Sequence, residues 1–213
     1  LFALDTCALP PAKAYTGLSP MTCNNLIRRG APAHCVHLTG QPAFDYLAGA
    51  GAEALRADAR QRLGLGSRDT LLVYASQATP SQEALPLSAL VDAALRLPLA
   101  RLVVKLHPSD NPEWVAPIIA PLMDRALLVK HHGAPFTTLE LLAAADVVFV
   151  LYSTVGLEAA LLDRAVVTLN FRGQMTPVPL SDMGLAINAS GPQEVLPAII
   201  TVLGDAQARA RLA

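Results

Sequence analysis

From residue 69 onward the chain alternates between two kinds of segment. Short apolar runs occur at Leu71-Leu72-Val73-Tyr74-Ala75, Leu102-Val103-Val104-Lys105, Leu127-Leu128-Val129, Val147-Val148-Phe149-Val150-Leu151 and Ala165-Val166-Val167-Thr168-Leu169. They are rich in β-branched residues and apolar on both parities, which marks strands covered on both faces, as in a parallel sheet. Between them the pattern predicts helices near 82–96, 112–123, 137–144, 155–163 and 192–204. This β-α alternation predicts an α/β fold, a doubly wound, mostly parallel sheet with right-handed crossovers. Residues 1–68 are irregular by comparison. They offer a helix end at Leu26-Ile27-Arg28-Arg29 closed by Gly30, a strand over 36–39 and a turn at Gly40-Gln41-Pro42. A helix over 44–63 is then stopped by Gly64 and Gly66. The expected organisation is an N-terminal remnant or interdomain segment over 1–68 and a regular α/β domain over 69–213.

Composition narrows the function classes. The chain has 213 residues, 53% hydrophobic and 15% charged, enough apolar content to bury a core and too much for a disordered polar chain. Sixteen Lys and Arg against 17 Asp and Glu leave a formal charge of -1, so no basic footprint for nucleic acid exists. Cys7, Cys23 and Cys35 are odd in number and lack metal-type spacing, which favours free thiols in a reducing compartment. The most apolar stretch, 139–162, carries Glu140, Asp146 and Glu158, whereas a membrane helix needs ~20 nearly uncharged residues. Asp5, Pro10 and Pro11 interrupt any secretory leader. Leu1 is not an ordinary translation start, so the chain reads as a processed product or a fragment. The expected location is the cytoplasm, with a peripheral place at the inner membrane as an option.

In open parallel sheets ligands bind at the carboxyl ends of the strands, beside the reversal of strand order, so the residues after each strand matter most. The run at 71–75 is followed by Ser76-Gln77-Ala78-Thr79-Pro80, where Gln77 suits a ligand but would also fill an ordinary turn. The run at 102–105 continues Lys105-Leu106-His107-Pro108-Ser109-Asp110. Alternation puts Lys105 and His107 on one side, and Pro108 holds His107 extended. Two potential cations there suit a phosphate or diphosphate; the bland alternative is an edge charge and a turn histidine. The run at 147–151 leads into Tyr152-Ser153-Thr154-Val155-Gly156-Leu157-Glu158. Ser153 or Thr154 should cap a helix whose first amides can meet an anion, and Gly156 would let a ligand approach the backbone. Glu158 has the wrong spacing for a capping box. It falls one turn after Thr154, where a carboxylate can accept from the two hydroxyls of a ribose.

Lys105-Leu106-His107-Pro108 resembles the HP motif of GT-B glycosyltransferases that use CMP-activated sugars, such as bacterial sialyltransferases and polysialyltransferases, and Ser153-Thr154 resembles their S/SS motif. Thr39-Gly40-Gln41-Pro42-Ala43-Phe44-Asp45 and Ser153-Thr154-Val155-Gly156-Leu157-Glu158-Ala159 are similar to segments of bacterial capsule and surface-polysaccharide proteins. The resemblance runs from about residue 36 to 200. It implies the Rossmann-like C-terminal, donor-binding half of a GT-B enzyme. His107 would contact the donor phosphate and help the nucleotide leave, supported by Lys105. Ser153 and Thr154 would bind phosphate oxygens and Glu158 the ribose. The donor would be CMP-, CDP- or UDP-activated and the acceptor a saccharide. No metal or other cofactor is implied, because dipole and cationic side chains offset the leaving-group charge. The general base would come from a first domain that the chain lacks, so the isolated chain should bind nucleotide without turnover.

Other readings compete. A non-hydrolysing UDP-GlcNAc 2-epimerase would carry a His-Arg-x-Glu-Asn segment, where the chain reads His107-Pro108-Ser109-Asp110. A CDP-glycerol glycerophosphotransferase would use the same phosphate site, and a non-catalytic binding module would keep the fold and lose the ligand. Metal sites at His131-His132 or at His34, Cys35 and His37 lack a partner set. Arg172 and Gln174 are expected at the same sheet edge, within reach of donor or acceptor, while Asp146 is expected to hydrogen-bond in a turn.

Overall fold

The computed structural model describes residues 9–48, 51–130, 135–173 and 178–204. Its backbone gathers into two compact units, Leu1–Gly49 and Ala50–Ala213. In the first, strand β1 (Tyr15–Gly17), helix α1 (Pro20–Arg28), strand β2 (Val36–Leu38) and helix α2 (Asp45–Ala48) follow in order. β1 and β2 pair in parallel, Tyr15 opposite Val36. α1 starts where the Ser19 hydroxyl accepts the Thr22 amide at 3.2 Å. It ends at Gly30, whose φ of +96° is open to glycine at no steric cost. Cys23 and Cys35 are unpaired thiols.

The second unit opens with helix α3 (Ala52–Arg62). The expected continuous helix over 44–63 is therefore broken: α2 ends at Ala48, and Gly51 turns the chain with φ +56°, a conformation glycine adopts freely and a helix interior does not use. Then come β3 (Thr70–Ala75), α4 (Pro80–Leu95), β4 (Ala100–Lys105), α5 (Ala116–Ile119), β5 (Ala126–Val129), α6 (Thr138–Ala144), β6 (Val147–Val150), α7 (Val155–Leu161), β7 (Ala165–Leu169), β8 (Ile187–Ala189) and α8 (Pro192–Gly204). All six strands β3–β8 are parallel, in the order β5-β4-β3-β6-β7-β8. This is the expected doubly wound Rossmann-like sheet.

Two expectations need correction. The single helix over 112–123 is three short pieces, because Pro117 and Pro121 remove helix amides and Met123 has a φ of +53°. β8 is a strand the pattern did not show, since Ile187-Asn188-Ala189 is too short to display a period.

The inner strands β3, β4, β6 and β7 are buried on both sides, as their unbroken apolar character requires. Leu72, Tyr74, Leu102, Val104, Phe149 and Val167 join one core with residues of α4, α5 and α8. The alternate residues Leu71, Val73, Val103, Val148, Val150 and Val166 are equally buried, and α6 and α7 pack near them. Full burial of each Leu or Val contributes about 1.5–3 kcal/mol.

At the amino edge of the sheet Asp146 ties α3 to the strands. It pairs with Arg56 and, at 3.0 Å, with Arg60, and it accepts the Leu71 amide at 2.7 Å. Arg56 also donates to the Ala144 and Ala145 carbonyls at the end of α6, and Arg60 to Asp69 O. Burial pushes the Asp146 carboxyl up, but the Leu71 amide and the two guanidiniums outweigh it and hold it below its ordinary value. Its stabilisation is thus present above the ordinary carboxylate range and is lost as pH falls through the lowered folded-state value. Asp146→Ala leaves two largely buried guanidiniums without a counter-charge and should cost about 2–4 kcal/mol in urea unfolding at pH 7. Asp146→Asn should flatten the fall in stability between neutral and acid pH, and an unchanged acid limb would deny Asp146 this role.

Candidate functional site

The chain moves from β3 to β4 and β5 on one side, then returns to place β6, β7 and β8 on the other. The reversal falls between β3 and β6, and open α/β sheets take ligands outside the carboxyl ends of the strands at such a point. Of the loops that leave that edge, those after β3, β4, β6 and β7 carry the candidate residues.

The loop after β3 is held from below. Glu83, on α4, has no solvent exposure. Its carboxylate accepts the Tyr74 hydroxyl at 2.9 Å, the Gln77 amide at 2.9 Å, and the Thr79 amide at 2.8 Å. Between these anchors Ala78 is forced to φ +58°, a strain of order 1–2 kcal/mol for a residue with a Cβ. Gln77 is half-buried there. Burial, followed by the nearby Glu83 charge, pushes the Tyr74 phenol well above its ordinary range, so it stays a donor.

The loop after β4 is pinned to the same place. Ser76, 6% exposed, accepts the His107 amide at 2.9 Å and donates to Asp110. Asp110 also accepts the Trp114 indole N–H at 2.7 Å. The Asp110 amide closes on His107 O at 3.0 Å, a turn with Pro108 in its favoured second place. His107 itself is exposed, and its Nδ1 lies 2.8 Å from Ser109 Oγ. Lys105 is half-buried: burial lowers its ammonium below the ordinary lysine range, and the Glu158 carboxylate pulls the other way.

After β6, Ser153 Oγ accepts the Val155 amide at 3.2 Å, so one amide expected to face an anion is already satisfied. The hydroxyl proton of Ser153 can still be donated. Thr154 is exposed and already helical, with φ -60° and ψ -19°. α7 has only seven residues, so the hydroxyls, not a helix dipole, are the main donors of this loop. Gly156 departs from expectation. It is buried, and a Cβ there would stand 2.5 Å from Leu180 Cδ1 and 3.0 Å from Val150 Cγ2, so the missing side chain makes room for packing and leaves no approach for a ligand. Glu158 follows one turn after Thr154, its amide bonded to Thr154 O.

These loops share one edge, with His107 and Ser153 on loops two strands apart, roughly 10 Å at ordinary strand spacing. A separate cleft of about 540 Å³, open to solvent, lies beside α4 and is lined by Ser81, Gln82, Tyr152, Asn170, Phe171, Arg172 and neighbouring apolar residues. None of Lys105, His107, Ser153, Thr154 or Glu158 lines it. Arg172 donates to Ser81 O at 2.8 Å, which ties the loop after β7 to the start of α4. This cleft and the cationic, hydroxyl-bearing loops therefore do not coincide. A hollow shows only where space is, so we place the site by the chemistry of the loops. His131, His132 and Gln174 lie outside the described residues. Among the described residues no three His, Cys, Asp or Glu side chains gather as a metal set, and no helix is long and apolar enough to cross a membrane.

Three supports were not foreseen from sequence: Ser76, Glu83 and Asp110. Glu83 had a signal, since it falls on the buried stripe of Leu87, Leu90, Val91 and Ala94, where a carboxylate needs a buried partner.

No family model matches the sequence, and no curated protein matches it. Solved structures do share its fold. A UDP-GlcNAc 2-epimerase from Neisseria meningitidis, bound to UDP-GlcNAc, superposes with a TM-score of 0.69 at 15% identity, over 94% of this chain and 55% of that one. Anabaena HepE in complex with UDP-glucose gives 0.58 at 16%, over 94% and 57%. A variant of the wall teichoic acid polymerase TagF gives 0.64 at 12%, over 94% and 52%. The chain thus spans about half the length of the proteins it matches.

Glu83→Gln keeps the volume but turns one acceptor into a donor facing N–H and O–H groups. We expect a loss of about 1–3 kcal/mol and faster amide exchange at Gln77 and Thr79, with the Leu71 amide at the far end of β3 protected as before; unchanged exchange at 77 and 79 would remove Glu83 as the anchor of the loop.

Proposed function

We propose that the chain is the donor-binding half of a nucleotide-sugar-dependent glycosyltransferase, with the nucleotide diphosphate or monophosphate lying across the carboxyl ends of β3, β4 and β6. Lys105 and His107 meet the phosphate from one side, and the Ser153 and Thr154 hydroxyls meet it from the other. Glu158 accepts from the ribose hydroxyls, and Gln77 lies on the loop between. As negative charge develops on the departing phosphate, Lys105 and the hydrogen-bond donors stabilise it where it forms, so no metal is called for. The observation that carries this reading is the placement of the candidate side chains at one edge of the sheet: Lys105 and His107 lie at the end of β4, Ser153, Thr154 and Glu158 follow β6, and only β3 stands between the two strands, with the loop after β4 fixed there by Ser76 Oγ on the His107 amide. The UDP-sugars bound by the Neisseria epimerase and by HepE support a nucleotide-sugar ligand for the shared fold.

The first unit supports a second, absent part. A two-stranded parallel sheet is not a stable sheet alone, and Met21 and Leu38 are 64% and 60% exposed. We read β1-α1-β2 as part of the sheet of another domain, which would supply the base that activates a saccharide acceptor. The pathway on this reading is bacterial surface-polysaccharide synthesis at the cytoplasmic side. The likeness to TagF favours one alternative, a CDP-glycerol-type glycerophosphotransferase, in which the same residues hold the phosphates and the broken bond lies between them.

Calorimetric titration with CMP, CDP and UDP tests the proposal. One of them should bind saturably, and His107→Ala or Ser153→Ala should weaken it roughly tenfold or more. Affinity should fall as pH rises through the lowered Lys105 value, at a pH below the ordinary lysine range, because the ammonium is then lost. Absence of binding by all three would leave a non-catalytic module of the same fold. Sugar transfer by this chain alone would overturn its reading as a half-enzyme.

A further inference from the structure

We infer that Ser109 is a positioning residue that fixes the His107 ring as an Nε2–H hydrogen-bond donor. The consequence for phosphate binding rests on the function proposed above; the tautomer itself does not. Two groups of Ser109 address one ring nitrogen. Its hydroxyl lies 2.8 Å from His107 Nδ1, and its backbone amide donates to the same atom at 3.3 Å. An amide N–H can only donate, so Nδ1 must accept, and the neutral imidazole carries its proton on Nε2. The hydroxyl then also donates to Nδ1.

The backbone beneath is equally fixed. The His107 amide is held by Ser76 Oγ, and the turn is closed by the Asp110 amide on His107 O. Both ends of the side chain are thereby restrained, and among the described residues Nε2 has no partner. An Nε2–H aimed outward donates to an anionic oxygen without needing a positive charge. It cannot accept a proton from an acceptor hydroxyl. His107 is therefore a donor to the departing phosphate and not the general base, which agrees with a base supplied from elsewhere. No proton needs to move at this residue: the phosphate leaves as an anion, hydrogen-bonded to Nε2–H.

Long-range proton–nitrogen NMR on the ligand-free protein at a pH where histidines are neutral, with His107 assigned by its loss in His107→Ala, reads the tautomer directly. The inference predicts a protonated Nε2 and a bare Nδ1; a proton on Nδ1 overturns it. UDP titrations provide the second arm. Ser109→Ala should weaken UDP roughly threefold to tenfold, Ser109→Thr should restore binding, and Ser109→Ala should have no further effect in a His107→Ala background. An equal loss in both backgrounds, or no loss in either, would show that Ser109 does not act through His107. If UDP does not bind, CMP or CDP takes its place in these titrations; if none of the three binds, the proposed function fails, while the tautomer spectrum still decides the inference.

Discussion

Glu83 has no contact with water and stands under the loop at which the sheet reverses its strand order. A buried carboxylate is tolerable only if its oxygens are met by donors, and here one phenol and two amides of a single turn meet them. The turn cannot relax without exposing that carboxylate. Ala78 consequently keeps a backbone conformation it would not choose, and the carboxyl end of β3 becomes a fixed platform. Ser76 extends the platform sideways by holding the His107 amide. The loops after β3 and β4, on one side of the reversal, are thus positioned by the protein's own polar contacts.

The fold was largely legible because a doubly covered parallel strand has to be apolar on both parities, and β3, β4, β6 and β7 announce themselves that way. Where the sequence misled, local chemistry outweighed the pattern. Gly51 and the prolines at 117 and 121 cut helices whose side-chain periodicity looks continuous, and β8 is too short to show a period. The candidate residues were legible by type and by place after a strand. Their support was less so: Ser76 meets His107 and Asp110 more than thirty residues away, which a run of letters does not show, while Glu83 meets near neighbours and left only its place on a buried helical stripe as a signal. Gly156 shows the opposite hazard: a glycine in a suggestive place serves the packing of Leu180.

The two ends of the sheet divide the work. At the amino edge, Asp146 and two arginines of α3, Arg56 and Arg60, pair with one another and with backbone groups of the sheet and of the end of α6. At the carboxyl edge, the candidate side chains are half-buried or exposed, and burial lowers the Lys105 ammonium below the ordinary lysine range. The cleft beside α4 has its own cation, Arg172, which donates to Ser81 O.

A crystal of this protein grown with UDP would decide where an anion sits. Phosphate oxygens within hydrogen-bond reach of both His107 Nε2 and Ser153 Oγ are the predicted result. A nucleotide seated instead in the α4 cleft against Arg172, with His107 and Ser153 untouched, would contradict the proposed site.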